Sequence, residues 1–166
     1  MNSNRILIIG AGTFSTEVEE LAMLLGYNEI FFLDDYALSP SVIGKIKDMG
    51  SKRKEFNTAI VALGNNEKRK EYHNLLKSYN YNIPVLIHPT AYVSPEAQIC
   101  SGCIIRSHAV VSRHARLGES VIVNVGGLVD HHCEIGNFSH VLMGAVVRNG
   151  VKIPEGSWIN ANEVVE

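Results

Sequence analysis

Charge, cysteine and long apolar runs are all scarce in this chain of 166 residues. Charged residues make up 19% of it, and the net charge is −2. Its basic runs go no further than the Lys-Arg-Lys triplets at 52–54 and 68–70. Duplex nucleic acid needs a concentrated cationic face, so it is excluded as a partner. The early apolar run Ile6–Ile9 is too short for a membrane span or a signal segment. The chain is therefore expected to stay in the cytoplasm, with no membrane span. Three cysteines, an odd number without an export signal, argue for reduced thiols. What remains is a 46% hydrophobic chain of ordinary globular composition, long enough for one large domain or two small ones.

The first half alternates strand and helix. Arg5–Ile9 reads as a buried strand, and Gly10-Ala11-Gly12 as a tight turn. Ser15 or Thr16 is expected to cap a helix over Glu17–Leu25 that closes at Gly26. Ile30–Leu33 is a second strand ending in Asp34-Asp35, and Ala59–Leu63 a third ending in Gly64-Asn65-Asn66. Glu67–Ser78 follows as an amphipathic helix with Tyr72, Leu75 and Leu76 on one side. Strands separated by helices predict a parallel α/β sheet, a Rossmann-like domain over 1–84.

From Ile87 the rhythm changes. Ile87, Val93, Ile99, Ile105, Val111 and Leu117 are six apart, and the spacing continues through Val123, Val129, Ile135, Val141, Val147, Ile153, Ile159 and Val165. Four residues after most of them comes a small side chain, as at Ala91, Ala97, Cys103, Ala109, Ala115, Gly127 and Cys133. No α-helix keeps a period of six on one face. A solenoid does: each step is one short strand, the aliphatic residue points inward and the small one fits the crowded turn. This is the hexapeptide repeat, over 85–166. Cys103 and Cys133 fall in the small-residue slot and are expected to pack rather than bind metal; no metal site is expected.

Taken together, IIGAG at 8–12, FLDD at 32–35, VALGNNEKRK at 61–70, IHPTAYVSPEA at 87–97 and VDHHCEIGNFSHVLMGAVV at 129–147 span nearly the whole chain. In this order they resemble the family of bacterial sialic-acid O-acetyltransferases (NeuD) and nucleotide-sugar N-acetyltransferases (PglD). The resemblance implies a left-handed parallel β-helix of about four coils after a nucleotide-sugar-binding domain. It also implies a homotrimer, with acetyl-CoA in a groove between neighbouring β-helices. The implied activity is transfer of an acetyl group to an amine or hydroxyl of a nucleotide-activated sugar in surface-glycan biosynthesis.

Residue by residue, the resemblance makes His131 the general base. It puts Asn124 beside the base and His140 near the acetyl-CoA thioester. Asn149 and Gly150 lie on the turn whose backbone faces that thioester; Asn149 stands where the family usually has glycine. His132 stands where the family commonly has an acid. Gly10, Gly12, Asp34, Asp35 and Asn65 are the implied substrate-binding positions, although Thr13-Phe14 replace the family's usual glycine–histidine pair.

Chemistry supports the assignment. An amine or hydroxyl attacking a thioester must lose a proton, and imidazole, with an ordinary pKa near 6.5, is largely neutral at cytoplasmic pH. Direct transfer needs no protein nucleophile. Adjacent strand residues face opposite ways, so Asp130, His131 and His132 do not all serve one site. Eighteen-residue stacking sets Arg113 and Asn149 against His131, His114 beside His132, and Trp158 beside His140. His131 is expected to reach the intersubunit groove, and His132 to join a polar corner with His114. Gly10, Gly12 and Ser15, with Asp34 beyond, also form a partial dinucleotide fingerprint, but too few residues precede the repeats for a full NAD-binding sheet. The last repeat is incomplete and Glu163 breaks the small-residue slot, so a shortened, non-catalytic relative that binds a sugar nucleotide or acts as a trimeric scaffold is the alternative.

Overall fold

Eighteen residues separate every pair of stacked strands in the second half of the computed structural model, which describes residues 4–166. The chain divides into two compact units between Pro84 and Val85.

The first unit is a three-stranded parallel sheet in the order β2-β1-β3, formed by β1 (Arg5–Ile9), β2 (Glu29–Leu33) and β3 (Ala59–Val61). Helix α1 (Thr13–Leu24) joins β1 to β2, a short helix α2 (Met49–Lys52) precedes β3, and α3 (Asn66–Ser78) follows it. Leu7, Ile9, Leu33, Met49, Phe56, Val61 and Leu76 fill its core. The β1 residues Ile6–Ile9 are fully buried, as an apolar run in a parallel strand requires.

Two local expectations are corrected here. Helix α1 begins at Thr13, not near Glu17, and its N-cap is Gly12 without a side-chain cap bond. Ser15 and Thr16 lie inside the first turn, and their hydroxyls donate back to the carbonyls of Gly12 and Thr13. In α3 the inward face is Arg69, His73 and Leu76, whereas Leu75 is exposed and Tyr72 half-buried. Asn65 caps that helix, its side chain accepting from Lys68 N–H at 3.0 Å.

The second unit is a parallel β-helix. Fourteen two-residue strands, β4 (Leu86–Ile87) to β17 (Val164–Val165), stack into sheets of five, five and four. Each strand pairs with the one eighteen residues on, as Ile122 with His140 and Glu134 with Lys152. The inward aliphatic column, Ile105, Val111, Leu117, Val123, Val129 and onward, packs with the small-residue column of Cys103, Ala109, Ala115, Cys133 and Ala145 in one core. The small residues are thus core members, not turn fillers alone.

Left-handed backbone recurs every six residues. The residues at 102, 108, 114, 120, 126, 132, 138, 144, 150, 156 and 162 all have positive φ. Glycine holds five of these turns; His108, His114 and His132 hold three. A non-glycine residue there costs about 1–2 kcal/mol, and histidine tolerates it better than most.

The coils approach closely at the start of one corner. A Cβ on Gly136 would sit 2.4 Å from the Glu155 nitrogen and 2.6 Å from the Pro154 carbonyl carbon, both backbone atoms. Gly136→Ala should therefore lower stability by about 1–3 kcal/mol, read as a reduced denaturant midpoint at unchanged slope.

Candidate active site

Strand order 2-1-3 makes the carboxyl ends of β1 and β3 the switch point of the first unit's sheet, where open α/β sheets bind ligands. Gly10 is held there with φ +100°, and a Cβ on it would meet Leu63 Cδ2 at 2.7 Å. Gly12, by contrast, has open space above it at the uncapped start of α1. Asp34 fastens this turn. Its Oδ2 accepts from Ala11 N–H, and its Oδ1 from Tyr36 and Ala37 N–H, each at 2.8 Å. Burial pulls the Asp34 carboxyl up, but those N–H bonds and the nearby Lys45 outweigh it and hold the group below its ordinary range.

Asp35 is turned elsewhere. Its Oδ1 accepts from Ile46 N–H at 3.1 Å, and it borders a groove of about 340 Å³ with Glu71, Tyr72 and Tyr79. Asp34 borders a different groove, with Ser39 and Asp48. Of the expected substrate residues, Gly10, Gly12 and Asp34 thus form one cluster, Asp35 lies on a second groove, and Asn65 caps α3. Arg69 was missed by the sequence reading, hidden in a basic triplet. Fully buried, its guanidinium donates to the carbonyls of Leu63 and Gly64 and to Asn66 Oδ1, which sets the loop after β3.

In the β-helix, His131 lies on the turn after β11 (Leu128–Val129) and is exposed. Asp130 Oδ1 accepts from its backbone N–H at 2.7 Å, and its Nδ1 lies 3.0 Å from Nδ1 of His132. The coil above ties to the same residue: Gly150 N–H donates to the His131 carbonyl at 3.0 Å. The Gly150 amide is therefore spent, and of the two expected positions Asn149 is the one whose N–H takes no part in the coil-to-coil bonds among the described residues.

His132 stacks against His114, with centroids 4.9 Å apart, and His114 Nε2 lies 3.3 Å from Glu96 Oε2. Arg113 pairs with the same carboxylate and holds Glu96 below its ordinary pKa. The polar corner of His132 and His114 is as expected, but His131 and His132 lie on a turn, where strand alternation does not apply, and their rings touch instead of parting; Glu96 was missed, although it lies in the same eighteen-residue column. These residues border a groove of about 350 Å³ with Gln98, Arg116 and Glu134.

Asn124, on the turn after β10 (Ile122–Val123), meets His140 of β13 (His140–Val141). Asn124 Nδ2–H donates to His140 Nε2 at 3.3 Å, both side chains are buried, and Trp158 packs edge-on against His140 at 4.8 Å. Strand β11 separates this pair from His131 within one chain. Among the described residues no group of His, Cys, Asp and Glu is arranged to hold a metal ion, and no helix is long and apolar enough to cross a membrane.

A small parallel α/β unit followed by hexapeptide coils is the architecture of the acetyltransferases that the chain resembles. Residues 5–76 match the PglD N-terminal domain. The chain is similar to the acetyltransferase domain of PglB from Neisseria gonorrhoeae FA1090, at 32% identity and a TM-score of 0.90, over 98% of this chain and 91% of that one. That domain in complex with acetyl coenzyme A matches at 31% identity and 0.83, over 98% of each chain. PerB from Caulobacter crescentus, in complex with CoA and GDP-perosamine, shares the fold at 24% identity and 0.83, over 98% of this chain and 88% of that one. The chain belongs to the NeuD/PglD-type family of sugar acetyltransferases.

Asp34→Ala should destabilise the first unit by about 1–3 kcal/mol by stranding three N–H groups. Because the folded pKa of Asp34 is depressed, its contribution is present above the unfolded value and lost as pH falls through the folded one. Wild type should lose stability below about pH 4 more steeply than Asp34→Asn, checked by denaturant titration across pH.

Proposed function

We propose that the protein transfers an acetyl group from acetyl-CoA to an amine or hydroxyl of a nucleotide-activated sugar in surface-glycan biosynthesis, in the cytoplasm, with His131 as general base. The exposed His131 ring, tethered through Nδ1 while Nε2 is left for the acceptor, carries this reading. The similarity to an acetyltransferase domain in complex with acetyl coenzyme A supports the donor. Residues 1–84 bind the nucleotide-sugar: the open space at Gly12 and the uncapped start of α1 suit a pyrophosphate. Residues 85–166 carry the transfer.

In that step His131 Nε2 takes the acceptor proton as nitrogen or oxygen attacks the thioester carbonyl. The carbon–sulfur bond breaks, and the proton passes to the departing thiolate. Asn149 N–H, which takes no part in the coil-to-coil bonds among the described residues, donates to the oxyanion in this reading, and such a donor contributes about 3–4 kcal/mol. Direct transfer requires positioning more than covalent chemistry.

The working assembly is a homotrimer. The outward residues of one β-helix face are Tyr92, Val110, Leu128, Val146 and Val164, an apolar ladder ending in exposed Tyr92 and Val164. The neighbouring face carries Gln98, Arg116, Glu134 and Lys152, which suits water. An apolar ladder beside the His131 turn is what a subunit contact needs. His131 of one copy then meets the Asn124–His140 pair of the next, with His140 and Asn149 toward the thioester.

His131→Ala should lower kcat by about 10²–10⁴-fold without changing the oligomeric mass; turnover near wild type removes His131 as the base. Leu128→Glu should dissociate the assembly on light scattering and lose activity with it. A wild-type monomer would undo the intersubunit site.

A further inference from the structure

His132 occupies a turn position where glycine is the easier residue. Its φ is +61°, and five of the eleven equivalent turns use glycine. His114, one coil below, is held likewise at φ +59°. Two strained histidines in one column, ring against ring, stand above a carboxylate. A scaffold asking only for a turn has no need of this arrangement.

The contact between His131 and His132 is between two Nδ1 atoms at 3.0 Å. One hydrogen lies between them, so one ring donates and the other accepts. A free imidazole carries its hydrogen on Nε2, and in that form His132 Nδ1 is a bare acceptor. Beneath it Glu96 accepts only, so His114 presents Nε2–H to it across 3.3 Å. The two carboxylates of the groove that His132 lines carry cations of their own, Glu96 with Arg113 and Glu134 with Lys152, and Arg116 also borders it. Asp130 accepts from the His131 backbone N–H.

We propose that His132 is the positioning residue for His131: its Nδ1 accepts from His131 Nδ1–H, fixing the tautomer that leaves His131 Nε2 as the lone pair facing the acceptor. This rests on the reading of His131 as the base. The arrangement serves both halves of the step, because an acceptor at His132 Nδ1 suits His131 neutral and protonated alike. The His114 ring, one coil beneath, packs against that of His132 with centroids 4.9 Å apart.

The turn itself supplies the test. His132→Gly suits the left-handed backbone and deletes the acceptor. His132→Asn also suits it, and its Oδ1 stands where Nδ1 stood as an acceptor only. In nitrogen-15 spectra of histidine-labelled protein, wild type and His132→Asn should show His131 protonated at Nδ1. His132→Gly should show the Nε2–H tautomer that a free imidazole prefers. Melting of His132→Gly should be no lower than wild type, while its kcat falls by about 10–100-fold and His132→Asn retains most of it. An Nε2–H tautomer at His131 in wild type, unchanged kcat in His132→Gly, or failure of His132→Asn to sustain turnover overturns the proposal. Should His132→Gly not fold, the wild-type tautomer and the Asn variant decide it. An active His131→Ala enzyme would instead remove the base reading; an inactive one beside an unaffected His132→Gly removes only the role of His132.

Discussion

Coil-to-coil backbone hydrogen bonding at a spacing of eighteen residues is the constraint on which the β-helix depends. Leu128 N–H donates to the Ala145 carbonyl at 2.8 Å and Asp130 N–H to that of Val147 at 2.9 Å; the same pattern repeats through the stack. A shift of one residue would turn every inward aliphatic side chain outward. The core of Val111, Val129 and Val147 and the bonds around it therefore select one register together.

That register turns positions far apart in sequence into columns. Glu96, His114 and His132 fall in one, and Arg113, His131 and Asn149 in another. It also gives the three faces different surfaces. One is the apolar ladder of Tyr92 to Val164, another the charged ladder of Arg116, Glu134 and Lys152, and the third carries His140 and Trp158.

The first unit uses a different device. Its loops are held by polar side chains instead of repeats: Asp34 ties the Ala11 amide of the turn after β1 to two amides of its own loop after β2, and buried Arg69 grips the carbonyls after β3. A buried guanidinium is tolerable because each of these contacts satisfies one of its donors. These loops lie at the carboxyl ends of the strands, the side on which open α/β sheets bind ligands.

The sequence by itself determined the two halves, the inward column from Ile87 to Val165 and the strand–turn motif at Gly10, because periodicity and composition are local properties. Eighteen-residue arithmetic also paired His114 with His132 and His140 with Trp158. Helix starts were less legible: Ser15 and Thr16 carry cap chemistry, yet the backbone places Gly12 at the cap. Tertiary structure alone decided what each polar group spends its hydrogen bonds on. Asp34 and Asn65 looked available for substrate and are engaged by amides, while the Gly150 amide is taken by the His131 carbonyl. It also decided the direction of the His131 ring, because an Nδ1-to-Nδ1 contact depends on side-chain torsions that no spacing rule encodes.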